Sequence, residues 1–321
     1  MKILKTLSAT AFFLFFSLGS LTAQDLSEAV NLYNNAVKAF QEAQYTQAIS
    51  DIEKALQIAS AVEDDEQALD VKTNCETIIP QFYFSYARQQ IKDKEYIEAL
   101  QTLKKAMELA ERYNNDDVLI SAEDLIPQVY RAKGSADVEA GNIAEGIAAY
   151  RKALELDKDN STIYLLIASA QRANDEAGAL ATFDQIIAME NAKPEDVAAA
   201  KRQAGNIYLR RAAAAQPTKK WSEMYENAQK AAAYDNTNTQ ILKLLGLSAV
   251  ELKRWREAVT AYEAVMSAEP DARDKNTTIY RLALAYENLN NKAKACSFYR
   301  QIVSDANFKA FAEGKVKELC Q

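Results

Sequence analysis

Compact residues recur along this chain where two helices would have to touch, each followed by a second and a third contact at a near-constant offset. The first set is Ala36, Ala87, Gly134, Ala168, Gly205, Gly246 and Ala283. About twelve residues later stand Ala48, Ala99, Gly146, Ala179, Ala258 and Ala295, with Met224 as the bulkier member. Seven residues beyond those come Ala55, Ala106, Ala153, Ile186, Ala231, Val265 and Ile302. One compact position on a helix and two on the next, a heptad apart, describe a helical hairpin stacked many times over. Such a stack directs the search for function away from a catalytic pocket and toward a surface for binding.

Eight Gly and five Pro in 321 residues leave too few turn residues for a strand-rich fold, so the chain reads as all-α. The clearest hairpin runs from Gln240 to Pro270. Leu242, Leu245, Gly246 and Ala249 share one face of its first helix; Trp255, Ala258, Val259, Tyr262 and Val265 share one face of the second. Pro270 helps to stop that second helix, since it cannot continue one. Two other stretches repeat the scheme: Ala36, Tyr45, Ala48, Ile52, Ala55, and Gly134, Gly141, Gly146, Tyr150, Ala153. These residues resemble the tetratricopeptide repeat, with its early small residue, turn aromatic, Ala in the second helix and closing Pro. The resemblance covers roughly residues 29–309. It implies a right-handed superhelical solenoid of about seven hairpins, at 29–62, 80–113, 127–160, 161–193, 198–238, 239–272 and 276–309. A capping helix over 308–320 (Phe308, Phe311, Ala312, Val316, Leu319) would cover the last apolar face.

The departures from a uniform repeat are informative. Successive first contacts stand 51, 47, 34, 37, 41 and 37 residues apart, against about 34 in the family. Glu76–Tyr83 is echoed by Glu123–Tyr130, so units two and three share an added helical stretch before Pro80 and Pro127. Each proline either starts the first helix or sits inside one long helix, and the in-phase Ile79 and Ile126 favour the long helix. Unit five reads as having an enlarged turn, Ala213–Lys220 before Trp221, projecting from one edge. Unit four lacks a turn aromatic.

The N-terminus reads as a signal segment over residues 1–23, with Lys2 and Lys5, an apolar core from Ala9 to Leu18, and Leu21-Thr22-Ala23 before the cut. That core is short for a membrane span, which takes about 20 residues. No Cys precedes Cys75, so the expectation is export to the periplasm or envelope without a lipid anchor. Removing residues 1–23 takes the formal charge from −7 to −9, which disfavours nucleic acid as a partner. Of three Cys, Cys296 and Cys320 can meet if the last helix folds back, whereas Cys75 has no neighbour in sequence.

Histidine is absent, which removes imidazole-based nucleophilic systems and His-based zinc sites together. No Gly-rich phosphate loop occurs. Asp157-Lys158-Asp159-Asn160-Ser161 begins like a calcium loop, yet Thr162 replaces the needed Gly and Ala168 the closing Glu, so it reads as a repeat-to-repeat turn. Glu63-Asp64-Asp65-Glu66 reads as a charged helix start. No cofactor and no catalytic set are expected.

The resemblance also implies that positions beside the small residue of each first helix look into a concave groove. Those with a binding character here are Tyr33, Phe40, Phe84, Arg88, Lys92, Arg131, Arg172, Arg202, Asn206, Arg210, Lys243 and Tyr280. A basic residue in this register over five consecutive units of an acidic chain points to an extended or acidic protein segment as partner, held by Arg forks on carboxylates. The alternative is a glycan or peptidoglycan ligand on aromatic platforms at Tyr33, Phe84, Tyr280 and Trp221.

Overall fold

The computed structural model describes residues 23–62 and 65–320. The expected signal segment lies outside them, save Ala23, where the first helix begins. Fifteen helices and no strand occur among the described residues: α1 (Ala23–Gln41), α2 (Tyr45–Ala59), α3 (Glu66–Lys92), α4 (Tyr96–Arg112), α5 (Asp116–Glu139), α6 (Ile143–Leu156), α7 (Ser161–Gln171), α8 (Glu176–Ala188), α9 (Pro194–Ala215), α10 (Trp221–Tyr234), α11 (Thr239–Glu251), α12 (Trp255–Ala268), α13 (Lys275–Asn288), α14 (Lys292–Arg300) and α15 (Lys309–Leu319). They form two compact units, one ending at Lys158 and one starting at Asp159.

In the first unit each helix from α1 to α6 packs on the next, and the odd-numbered helices also touch one another in turn. The second unit repeats this from α7 to α15, with α7, α9, α11 and α13 side by side. Every residue of the three compact sets is buried, Gly205 and Gly246 included. The clearest close approach joins α5 to α6. A Cβ on Gly134 would stand 2.6 Å from the Tyr150 ring and 2.9 Å from the carbonyl oxygen of Gly146, and one on Gly146 would meet the carbonyl oxygen of Gly134 at 2.8 Å. Backbone lies on backbone there, which only glycine on both sides permits.

The turn between paired helices has a fixed device. Seven residues after the small contact the backbone adopts positive φ, at Ala43, Lys94, Gly141, Lys219, Lys253 and Asn290. The next residue's N–H reaches back to a carbonyl five residues earlier: Gln44 to Ala39, Glu95 to Gln90, Asn142 to Asp137, Lys220 to Ala215, Arg254 to Ala249 and Asn291 to Tyr286. This left-handed closure satisfies carbonyls that the helix end would otherwise leave unpaired. The α7–α8 turn, one residue shorter, lacks it; Asp175 there has φ −142°.

That device corrects the register of unit five. Lys219 lies seven residues after Ala212, not after Gly205, and Ala212 stands 12 before Met224 and 34 before Gly246. Ala212 is fully buried with Ala215, Met224 and Ala228. The extra residues therefore extend the front of α9, making it a third long first helix beside α3 and α5, and no enlarged turn projects before Trp221. An alanine-rich run offered several compact residues to choose from, and Gly205 was the wrong one. Pro80 and Pro127 lie inside α3 and α5, as expected of continuous long helices, while Pro194 opens α9.

Local signals act as read. Asp65 accepts from the backbone N–H groups of Gln67 and Ala68, both at 2.9 Å, and so starts α3, while Glu63 and Asp64 lie outside the described residues. Asn160 caps α7 through the N–H of Ile163, at 3.1 Å. Successive first helices are also laced together. The buried Asp196 of α9 accepts from Ser161 (2.7 Å) and Thr162 (2.8 Å) of α7, and Asn276 of α13 donates to Asp305 beyond α14 at 2.7 Å. At the end of the chain Cys296 and Cys320 are disulfide-bonded with their Cα atoms 5.4 Å apart, fixing the fold-back of α15.

Cys75 is fully buried in the α1–α3 core beside Tyr33. Burial pushes the Cys75 thiol and the Tyr33 hydroxyl up to about 12 each, from ordinary values of 9.0 and 10.0, with the charge of Glu76 adding to the first and that of Cys75 to the second. Tyr262 is likewise raised to about 12 by burial. The folded state thus prefers the protonated groups. Their contribution is full below the unfolded values and is lost as pH rises toward 12. The urea midpoint should fall from about pH 9 upward, and Cys75→Ala should flatten the first part of that fall. A midpoint constant up to pH 11 would contradict it.

Candidate functional site

The side chains proposed for partner binding divide into two groups. Arg88, Lys92, Arg131, Arg202, Asn206 and Arg210 are exposed on first helices, and Arg172 is exposed just beyond the end of α7. Tyr33, Phe40, Phe84, Lys243 and Tyr280 are engaged within the protein and are corrections to the expected set.

The aromatic members are core or near-core. Tyr33 is 4% exposed. Phe40 stacks on Phe82 with ring centroids 4.3 Å apart and meets Tyr45 edge-on at 5.6 Å. Phe84 packs half-buried against Ala87, Leu103 and Ala106. Tyr280 stacks on Phe308 at 4.9 Å and touches Phe311 edge-on at 5.4 Å, so it seats the capping helix. The physical reason is common to all four: a long first helix and a cap bring further apolar surface alongside, and large rings bury against it. Trp221 is half-buried too, against the Met224–Ala228 cluster.

Lys243 of α11 pairs with Glu269 at 3.1 Å and Asp274 at 3.0 Å, a clamp across the α12–α13 connection. Burial works against its charge, but the hydrogen bonds to Asp274 and Glu269 outweigh this and hold its pKa above the ordinary value. Glu269 is correspondingly held low by its hydrogen bonds from Thr239 and Lys243.

Among the exposed cations proposed for binding, Arg172 and Arg210 are already partnered or bridged. Arg210 and Arg211 both pair with Glu176 at the start of α8, the former at 3.1 Å. Arg172 donates to the Gln203 side chain at 3.1 Å, which joins α7 to α9 in the second unit. Arg88, Lys92, Arg131 and Arg202 make no side-chain hydrogen bond or ion pair among the described residues. Arg202, Asn206 and Arg210 follow one another at four-residue intervals on α9 and so share one exposed face. Arg88 and Lys92 do the same on α3 and border a cleft of about 170 Å³ with Tyr45, Ser85 and Gln89. The sequence marked Tyr45 only as a turn aromatic; Ser85, Gln89 and the bridging Gln203 carry no signal short of the fold.

No group of three or more His, Cys, Asp or Glu among the described residues is placed to hold a metal ion, and no described helix is long and apolar enough to cross a membrane. Tetratricopeptide-repeat models match residues 127–160 and 277–306. No curated protein matches the chain. Among solved structures, MamA is 18% identical at a TM-score of 0.32, over 58% of this chain and 95% of its own. YrrB, described as a TPR protein with an unusual peptide-binding site, is 16% identical at 0.31, over 62% and 97%. The TPR2AB-domain–pHSP90 complex of yeast Sti1 is 16% identical at 0.34, over 92% and 99%. The two matched segments coincide with the α5–α6 and α13–α14 hairpins, so these two hairpins are tetratricopeptide repeats, and the other hairpins repeat their compact contacts.

Proposed function

We propose that this protein is a non-catalytic scaffold that holds an acidic, extended segment of a partner protein on the exposed cations of its first helices. The observation that carries this reading is the unpaired state of Arg88, Lys92, Arg131 and Arg202 in a chain of net charge −7. Arg88, Lys92 and Arg131 in the first unit and Arg202 in the second make no ion pair, and a cation free of internal partners keeps its full attraction for an incoming carboxylate. Asn206 adds an amide beside Arg202 on α9.

The place of action in this reading is the periplasm or cell envelope. The basic and apolar N-terminal residues support export, and the Cys296–Cys320 bond is of a kind that persists in oxidising compartments. A glycan reading draws no support from the aromatic side chains, because Tyr33, Phe84, Tyr280 and Trp221 are all packed on neighbours.

Crosslinking in the native envelope should capture a protein partner, and the capture should weaken with added salt. Arg88→Glu with Arg131→Glu, and separately Arg202→Glu, should each reduce it severalfold while circular dichroism stays helical. Capture indifferent to both sets of reversals would dispose of the reading.

A further inference from the structure

We infer that the cleft beside Tyr45 is a pocket for one carboxylate side chain, an Asp or Glu of an extended partner segment. The inference rests on the scaffold reading and assigns it a point of attachment. The cleft lies wholly within the first unit, between the start of α2 and the last turns of α3, and measures about 170 Å³.

Its chemistry is that of donors. Arg88 and Lys92 stand four residues apart, so both project over the same side of α3. Neither has a carboxylate partner among the described residues. The acidic groups beside them in sequence make no ion pair with either cation: Asp93 accepts twice from the Gln89 amide, at 2.9 and 3.1 Å, and Glu42 faces Lys38 and Gln44. Ser85 accepts a hydrogen bond from Gln81 at 3.0 Å, which leaves its own proton for an outside acceptor. A guanidinium fork, an ammonium and a hydroxyl lining one cleft, with neither cation paired to an acid, select an anion.

The wall selects what the anion is attached to. Tyr45 is held edge-on by Phe40 at 5.6 Å and flanked by Tyr86 at 6.4 Å, so its ring is fixed in place. A fixed ring beside paired cations suits a carboxylate on an apolar stem, whose methylenes lie on the ring while its oxygens meet Arg88 and Lys92. A free small oxyanion would use the cations and leave the wall idle. Of the other exposed cations proposed for binding, Arg172 and Arg210 are engaged by Gln203 and Glu176.

Fluorescein-labelled hexaglutamate, titrated into the full chain at low salt and read by anisotropy, tests the pocket. Arg88→Gln with Lys92→Gln should raise Kd at least tenfold, and Tyr45→Ala should raise it severalfold. The charge-matched pair Lys54→Gln with Lys104→Gln, on second helices, should change it less than twofold. Equal urea midpoints for all variants exclude misfolding as the cause. Unchanged binding by the Arg88/Lys92 variant, or no saturable binding by the parent chain, would overturn the pocket. So would displacement of the peptide by inorganic phosphate well beyond that by acetate at equal ionic strength, which would mark a free-oxyanion site. Envelope capture separates the two levels: capture lost with Arg202→Glu but intact in the Arg88/Lys92 variant removes the pocket and keeps the scaffold, and capture insensitive to every charge change removes both.

Discussion

Gly134→Ala should destabilise the first unit by about 2–3 kcal/mol, the usual cost of forcing a methyl into a closed contact. The added Cβ would stand 2.6 and 2.7 Å from two atoms of the Tyr150 ring, which is 2% exposed. Rotating that ring away offers little relief, because the Gly146 carbonyl waits at 2.9 Å and belongs to backbone. Helices α5 and α6 would have to part, loosening Val138 and Ala153 with them. Gly146→Ala should do the same from the other side, since its Cβ would stand 2.5 Å from Val138 and 2.8 Å from the Gly134 carbonyl. The pair should be less than additive, because either change already separates the helices. Urea midpoints at constant m-value would record these losses as native-state effects.

Removing the Cys296–Cys320 bond should cost roughly 3 kcal/mol, the size expected for closing a loop of this length; the two cysteines are 24 residues apart. The loss should be felt in α15 first. That helix packs chiefly on α14 and is otherwise secured by Ala312, the Tyr280–Phe308–Phe311 ring cluster and Lys315. Lys315 pairs with Glu287, which also accepts from Tyr299 at 2.8 Å, and with Glu318 at 3.1 Å. These contacts keep the cap in place while the bond is intact, but they are few, so the reduced form should fray locally rather than unfold as a whole. Amide exchange of residues 309–319 in Cys320→Ser, or in the parent under reductant, should speed up by about two orders of magnitude, the rate equivalent of that energy. Exchange in α1–α6 should be unchanged. Uniform acceleration across both units would show that the cap supports far more than its own hairpin.

The hairpin order, the three long first helices around Pro80, Pro127 and Pro194, and the capping helix differ in how openly the sequence shows them. Compact residues at helix crossings are legible because nothing larger fits, and this is why all three contact sets are buried. Unit five misleads because Gly205 sits one heptad from the true contact, again on the buried face, and Ala212–Ala215 blur the period. The positive-φ turn is marked by residue type only at Gly141 and Asn290; Ala43, Lys94, Lys219 and Lys253 carry no such mark, so the register they report needs coordinates.

The exposure of the residues proposed for binding is legible by half. Arg88, Lys92, Arg131, Arg202 and Asn206 are exposed as expected, since charge on a first helix seldom buries. Lys243 fails because its partners, Glu269 and Asp274, lie 26 and 31 residues away across a connection that local spacing does not describe. Tyr33, Phe40, Phe84 and Tyr280 fail because aromatic rings serve a groove and a core equally well in one dimension. The Cys296–Cys320 pairing was visible as a possibility from the fold-back of the last helix.

Each hairpin depends on a single compact residue in its first helix, about twelve before its counterpart on the second and, in every turn but that of α7–α8, seven before a positive-φ residue. Thermal melts of Ala212→Leu and Gly205→Ala, side by side, test that register most directly. At Gly205 a Cβ meets Tyr234 at 3.4 Å and the Ala231 carbonyl at 3.7 Å, ordinary contact, so alanine should be neutral or should stabilise by about 0.5–1 kcal/mol. Leucine at the fully buried Ala212 should instead cost about 1–3 kcal/mol or more. A well-tolerated Ala212→Leu together with a damaging Gly205→Ala would place the contact where the helix turn does not support it, and would contradict the account.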